Sequence, residues 1–275
     1  MEFECEGFSE ELMGIGTALI TGASSGIGEA FARLFAQKGF NLILTARNEE
    51  KLNELSKSLN GIETNVVSAD LSETEGIEKL ISEVEKKGES VDVIVNNAGM
   101  MTEGPFHEMG EKDIEKILTL NMFATVKITH RFIKAMRERG NGRILNVASV
   151  AAFHPLPSMD IYAATKAFVL SFTESLAENY RSDGIFVTAL CPGITNTQMA
   201  ERDLIKIAPG FLILEPEEVA REGYEALMNR EVINIPGPAN RLALGIAKHQ
   251  PRSLIRNLGR ISSKILAMGA QKEIE

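Results

Sequence analysis

Short aliphatic runs alternate with longer stretches whose apolar residues recur every three or four positions. TALIT (17–21) precedes a helical pattern over 27–38, NLILTA (41–46) another over 48–59, and TNVVSAD (64–70) a third over 73–87. VDVIVN (91–96), a long helical stretch near 111–139, GRILNVAS (142–149), a helix near 158–182 and IFVTALC (185–191) continue the series. The runs are near-continuous rather than alternating, as a sheet covered on both faces requires. Strand–helix alternation of this kind predicts the α/β class: one domain with a doubly wound parallel sheet and helices on both faces. Ligands of such sheets bind outside the carboxyl ends of the strands, so the chemistry is sought in the segments that follow them.

The first strand runs into Gly22-Ala23-Ser24-Ser25-Gly26-Ile27-Gly28, and a helix begins there. Glycines let the backbone turn tightly and approach a phosphate, and the helix N-terminus offers free N–H groups to an anion. In a strand–turn–helix unit this predicts a Rossmann-type dinucleotide site formed by Gly22, Ser24, Ser25, Gly26, Ile27 and Gly28. The second strand ends Thr45-Ala46-Arg47, without the acidic residue that accepts from an adenosine 2′-hydroxyl. A guanidinium suits a 2′-phosphate instead, so Arg47 favours NADP over NAD. Asp70-Leu71 follows the third strand and either holds the adenine or caps the next helix.

Composition narrows the function classes. A net charge of −9 speaks against a nucleic-acid binder, and no apolar run reaches the 18 or so residues of a membrane span. The two cysteines, Cys5 and Cys191, lie in no metal motif, so a reduced cytoplasmic protein without bound metal is expected. The acidic opening reads as an N-terminal extension over 1–14 and not as a targeting peptide. A Rossmann-type NADP-binding domain is placed at 15–238 and a basic extension at 239–275.

Thr21-Gly22-x-x-x-Gly26-x-Gly28, Asn96-Asn97-Ala98-Gly99, a Ser thirteen residues before Tyr-x-x-x-Lys, and Pro192-Gly193 stand in one order and spacing. Together they resemble the short-chain dehydrogenase/reductase family, in its shorter NADP-preferring branch, over roughly residues 14–235. The chemistry can also be read from the residues. Tyr162 and Lys166 are four apart on a helix and share a face. A phenol with pKa about 10 carries protons poorly at neutral pH. The Lys166 ammonium and an oxidised nicotinamide would lower that pKa, making Tyr162 the general acid–base. Ser149 would donate to the substrate oxygen as charge develops; a turn or cap role is the alternative. Asn121 sits in a helical stretch despite poor propensity.

The resemblance implies further roles. Lys166 would hold the nicotinamide ribose, and Asn121 would tie a water to that lysine in a proton relay. Asn97, Ala98 and Gly99 would line the adenosine-ribose side. Pro192, Gly193, Thr195 and Thr197 would fix the carboxamide, so that the pro-S hydride is transferred. A lid near 194–215 and a homodimer or homotetramer through the helices near 111–139 and 158–182 complete the picture.

Met100, Met101, Phe106, Ala151 to Leu156, Met199 and Leu204 to Leu214 predict an apolar pocket for a lipophilic or acyl-type carbonyl substrate, with core packing as the alternative. His154 is read as a loop residue. The rival functional reading is a non-catalytic NADP-binding regulatory or interaction protein, against which the complete tetrad speaks. Residues 240–275 hold seven Lys/Arg against two Asp/Glu. A helix over 251–268 would put Arg252, Arg256, Arg260 and Lys264 opposite an apolar face. That face would dock on the protein's own core or a sister subunit, or serve as a peripheral membrane anchor.

Overall fold

The computed structural model describes residues 16–197 and 209–248. Its first half follows the predicted alternation closely. Strand β1 (Thr17–Thr21) leads to α1 (Gly26–Gln37), β2 (Asn41–Ala46) to α2 (Glu49–Ser58), and β3 (Thr64–Ser68) to α3 (Thr74–Lys86). Then come β4 (Val93–Asn96), α4 (Glu111–Leu118), a π-helical turn (Thr119–Phe123), α5 (Ala124–Arg139) and β5 (Gly142–Val147). After α6 (Asp160–Tyr180) and β6 (Ile185–Leu190), the chain adds α7 (Pro216–Met228), β7 (Ile233–Asn234) and α8 (Pro238–Lys248).

The seven strands form one parallel sheet in the order β3-β2-β1-β4-β5-β6-β7. Strand order reverses between β1 and β4, which opens the crevice where doubly wound sheets take their ligands. Each face of the sheet carries its own core. On one side, residues of α1, α2 and α7 pack over β1 and β2, centred on Phe31, Phe35, Leu52, Val219 and Leu227. Phe35 meets Phe40 and Tyr224 edge-on at 5.2 Å from each, a favoured ring geometry. On the other side, Ile77, Leu80, Ile128, Phe132 and Met136 from α3 and α5 cover Leu19, Ile43 and Ile94. Burying each of these large side chains contributes about 1.5–3 kcal/mol, which is why the aliphatic runs become central strands.

The long stretch expected as one helix is two helices joined by the π turn at 119–123. Strand β5 stops at Val147, two residues before the expected end, and Ser149 starts a 3-10 turn over Val150–Phe153. In α8, Asn240 and Leu244 are buried, so its first turns pack on the domain. The acidic N-terminal extension, most of the expected lid and the segment 251–268 lie outside the described residues. Among the described residues, no helix is long and apolar enough to cross a membrane. No cluster of three metal-ligand side chains occurs there either.

Candidate active site

The turn after β1 is built for an absent side chain. Gly22 and Gly26 have φ of +68° and +57°, which L side chains adopt only with strain. A Cβ on Gly28 would stand 2.1 Å from the Gly22 carbonyl oxygen. The turn therefore closes against the start of α1, leaving the helix N-terminus open to an anion. Ser24, Ser25 and Gly26 line a cleft that Asn196 and Thr197 wall from across the crevice. A dinucleotide fits this cradle, and Ser25, the residue before α1, makes no side-chain cap of its own.

Asn97 ties the two central strands together at this point. Its Nδ2 donates to the Thr21 carbonyl at 2.9 Å, while the N–H groups of Asn97 and Ala98 both donate to the Thr21 hydroxyl at 2.9 Å. The turn thus supports the sheet, and Asn97 and Gly99 also line the crevice.

Arg47 shares a small cleft with Ser68, Asp70 and Lys79 beyond the ends of β2 and β3. Asp70 does not cap α3, because Glu73 occupies the cap position. Its Oδ1 accepts from the Ser72 N–H and hydroxyl, at 3.0 and 2.7 Å. Burial alone would raise this carboxyl, but Ser72 and the Arg47 and Lys116 charges outweigh it and hold the pKa below the usual value. The Leu71 side chain belongs to the core.

Ser149, Tyr162 and Lys166 converge on one cleft of about 970 Å³, counted out to its open mouth. Ser149 Oγ accepts from the Ala151 N–H at 3.1 Å, so it caps the 3-10 turn and faces the pocket at once. It is also a hydrogen-bond partner of the Tyr162 hydroxyl. Helix α6 places Lys166 one turn on, with Nζ 5.8 Å from the Tyr162 ring centre. That ammonium is buried and donates to the Val147 carbonyl at 2.8 Å. Asn121 lies on the π turn, a local form common at functional sites. Its side chain clasps the Met100 backbone, accepting from N–H and donating to the carbonyl at 2.9 Å each, and donates to Thr165 Oγ1 at 3.0 Å. Gly99 packs between Asn121 Oδ1 and Lys166 Nζ, with room for no more than a tight Cβ.

The phenol shifts in the direction opposite to that expected from its lysine. Burial pushes Tyr162 above its ordinary value of 10, and the Ser149 hydroxyl offsets only part of this. Burial also lowers Lys166, from 10.5 to about 8. This has a measurable consequence for stability. Below pH 8 Lys166 is charged in both the folded and the unfolded chain, and the full cost of burying the charge is present. Between pH 8 and 10.5 the unfolded chain holds more protons, so folding stability rises with pH. Without added nucleotide, Lys166→Met is therefore expected to be more stable than the wild type at pH 7. That advantage should shrink by about 3 kcal/mol as the pH rises from 8 to 10.5. Denaturant unfolding of both proteins across this range checks it; a pH-independent difference would contradict the buried charge.

Pocket walls are apolar but not always the residues expected. Met101, Val150, Ala151, Leu156, Met159 and Ile194 line the cleft. Met100 and His154 do not, Phe106 is 57% exposed on a separate turn, and Leu214 is in the core. Met199 and 204–208 lie outside the described residues. Pro192, Gly193, Thr195 and Thr197 do reach the cleft, although the Thr195 hydroxyl donates to the Gly193 carbonyl at 3.2 Å.

One buried network was signalled by the sequence only in part. Asn96 donates to Asn146 Oδ1 at 2.8 Å and to Thr129 Oγ1 at 3.0 Å, and Asn146 donates to Thr173 Oγ1 at 2.9 Å. It fastens α5 and α6 to β4 and β5 directly beneath the pocket. Asn96 stands in the Asn96-Asn97-Ala98-Gly99 motif, but nothing in the run GRILNVAS marks Asn146 as its partner.

Comparison with known proteins agrees with this geometry. The short chain dehydrogenase family profile matches residues 16–206. A very-long-chain 3-oxoacyl-CoA reductase of Mus musculus is 36% identical over 191 residues, 67% of this chain but only 61% of the mouse protein. A short-chain dehydrogenase from Sphingobium yanoikuyae, solved in complex with NADPH, superposes with a TM-score of 0.76 at 31% identity, covering 85% of this chain and 93% of that one. The bulky-bulky ketone specific alcohol dehydrogenase from Comamonas testosteroni gives 0.73 at 28% identity, with coverages of 86% and 96%. The chain belongs to the short-chain dehydrogenase/reductase family of nicotinamide-dependent oxidoreductases.

Proposed function

We propose that this chain uses NADPH to interconvert a lipophilic ketone and its secondary alcohol. The observation that carries the reading is the convergence of Ser149, Tyr162 and Lys166 on an apolar pocket that opens beside the glycine turn. The nicotinamide, when bound, supplies the hydride. Tyr162 Oη donates a proton to the substrate oxygen, and Ser149 Oγ donates a hydrogen bond to the same atom. Burial keeps the phenol protonated at neutral pH, the form needed for carbonyl reduction. Lys166 holds the nicotinamide ribose and stabilises the phenolate left behind. Asn121, clamped to Met100 and Thr165, holds the relay end of the lysine pocket.

Apolar walls of Met101, Leu156 and Met159 favour a hydrophobic substrate, and the relatives' named substrates, a very-long-chain acyl compound and bulky ketones, are in keeping with it. Self-association is proposed through the helices near 111–139 and 158–182, where Leu118 at the end of α4, Phe123 on the π turn and Phe168 on α6 are exposed and Phe168 stacks on Phe172. Nothing in the comparisons supports a non-catalytic binding module. The test is NADPH oxidation with ketones and 3-oxoacyl compounds of graded chain length. Tight NADPH binding with no turnover on the whole panel would reject the enzymatic reading.

Cofactor choice is tested at Arg47. Arg47→Ala is expected to weaken NADPH binding by about 1.5–3 kcal/mol, the worth of a charged hydrogen bond. NADH binding should stay within a factor of about two, because the two nucleotides differ only in the 2′-phosphate. Fluorescence titration of both proteins with both nucleotides decides it. Equal losses for NADPH and NADH would mean that Arg47 does not read the phosphate.

A further inference from the structure

Among the described residues, two other than glycine have positive φ: Arg230 at +62° and Ser158 at +70°. Arg230 ends α7 in the usual way, its N–H donating to the Leu227 carbonyl at 3.3 Å and that of Glu231 to the Ala226 carbonyl at 2.9 Å. No helix ends at Ser158. It stands in the turn Leu156-Pro157-Ser158-Met159, closed by the Met159 N–H on the Leu156 carbonyl at 3.1 Å. Proline at the second position and positive φ at the third define a type II turn, whose third position is normally glycine or asparagine. Ser158 is exposed, so its own burial does not explain why the strain is kept.

The surroundings of the turn supply the reason. Leu156 and Met159, its two ends, line the active-site cleft, and the next residue, Asp160, opens the helix that carries Tyr162 and Lys166. The Ser158 carbonyl accepts from the Gly104 N–H at 3.0 Å. Gly104 belongs to the loop after β4, whose Met101 and Glu103 line the same cleft. Its φ is +125°, and an added Cβ would meet nothing within 4 Å, so backbone conformation alone calls for glycine there. Two residues in strained regions thus meet in one hydrogen bond, which ties together the two segments walling the pocket. We infer that Ser158 is a positioning residue: latched by Gly104, its left-handed backbone holds Leu156 and Met159 against the apolar arm of the substrate. The latch sets the chain-length selectivity of the ketone reduction proposed above, and the inference rests on that reading.

The test compares the full chain with Ser158→Gly, Ser158→Asn and Ser158→Val on straight-chain methyl ketones of graded length. Wild-type kcat/KM is expected to rise about fourfold for each methylene that the walls bury. Glycine and asparagine accept positive φ, so these variants should keep that profile within about twofold. Valine is an outlier at positive φ, so the turn shifts and KM for the longest ketones should rise at least about tenfold. Its KM for the shortest ketone, its kcat and its NADPH affinity should stay within about twofold, as for a loss of uniform binding. Gly104→Ala, across the hydrogen bond, is expected to give the same length-dependent loss, and it stands in if Ser158→Val does not fold. Equal losses at every chain length, or the same loss in Ser158→Gly as in Ser158→Val, overturn the inference. Ketone affinity of the NADP-saturated proteins, where the oxidised nucleotide has no hydride to give, is measured in parallel by calorimetry. A length-dependent loss of affinity without any turnover upholds the latch and rejects ketone reduction. An unchanged length dependence in Ser158→Val and Gly104→Ala overturns the latch and leaves the reduction standing. A wild type that neither reduces nor binds any of the ketones overturns both.

Discussion

Tyr162→Phe is expected to lower turnover by at least about 10²-fold while NADPH still binds, the scale on which a positioned general acid acts. The change removes one oxygen and leaves the ring that packs beside Lys166 in α6. Lys166 keeps its hydrogen bond to the Val147 carbonyl, which does not involve the phenol. Ser149 keeps the Ala151 N–H, so the 3-10 turn stays capped. What is lost is the hydroxyl that Ser149 bonds and that burial holds in its protonated form. Single-turnover reduction at saturating NADPH, with nucleotide affinity measured separately, resolves the two contributions. Undiminished chemistry in the variant would remove Tyr162 from the proton transfer.

Gly28→Ala is expected to abolish nucleotide binding in practice, by about 100-fold or more, and to cost about 1–3 kcal/mol of stability from overpacking. The new methyl would sit 2.1 Å from the Gly22 carbonyl oxygen and 2.5 Å from Asn97 Nδ2. The first of these is backbone, which cannot rotate away as a side chain can. Either the turn opens or α1 backs off β1, and both move the phosphate-facing N–H groups. Ala at Gly61, where nothing stands within 4 Å but φ is +80°, separates backbone strain from crowding. It should cost stability alone and leave NADPH affinity unchanged, as thermal melts and titration would show. Full NADPH affinity in Gly28→Ala would mean that the closed turn does not form the cofactor cradle.

Local chemistry was legible in the sequence, and contacts made across the fold were not. Strands β1 and β2 match the aliphatic runs residue for residue, because a strand covered on both faces admits little else. Tyr162 and Lys166 could be paired from their spacing, since four residues on a helix fix the geometry. The sign of the Tyr162 shift could not be foreseen. It depends on how far the fold buries the phenol, which the Ser149 hydroxyl offsets only in part. The choice of Met159 over Met100 as pocket wall likewise depends on how the 3-10 turn lies across α6. Two-residue β7 is too short for any periodicity to announce.

The π turn at Thr119–Phe123 has a consequence for how this chain tolerates insertions and deletions. A wide turn holds one residue more than the α-helix around it needs. Deleting one residue between Leu118 and Ala124 would remove that surplus and let the segment close as an unbroken α-helix, with α5 kept near its present facing. Ile128, Phe132 and Met136 would stay on the sheet, but the Asn121 amide would lose its place against Met100. The surplus residue at Thr119–Phe123 therefore serves the site and not the core, since a chain without it keeps its helix packing and gives up the Asn121 clasp.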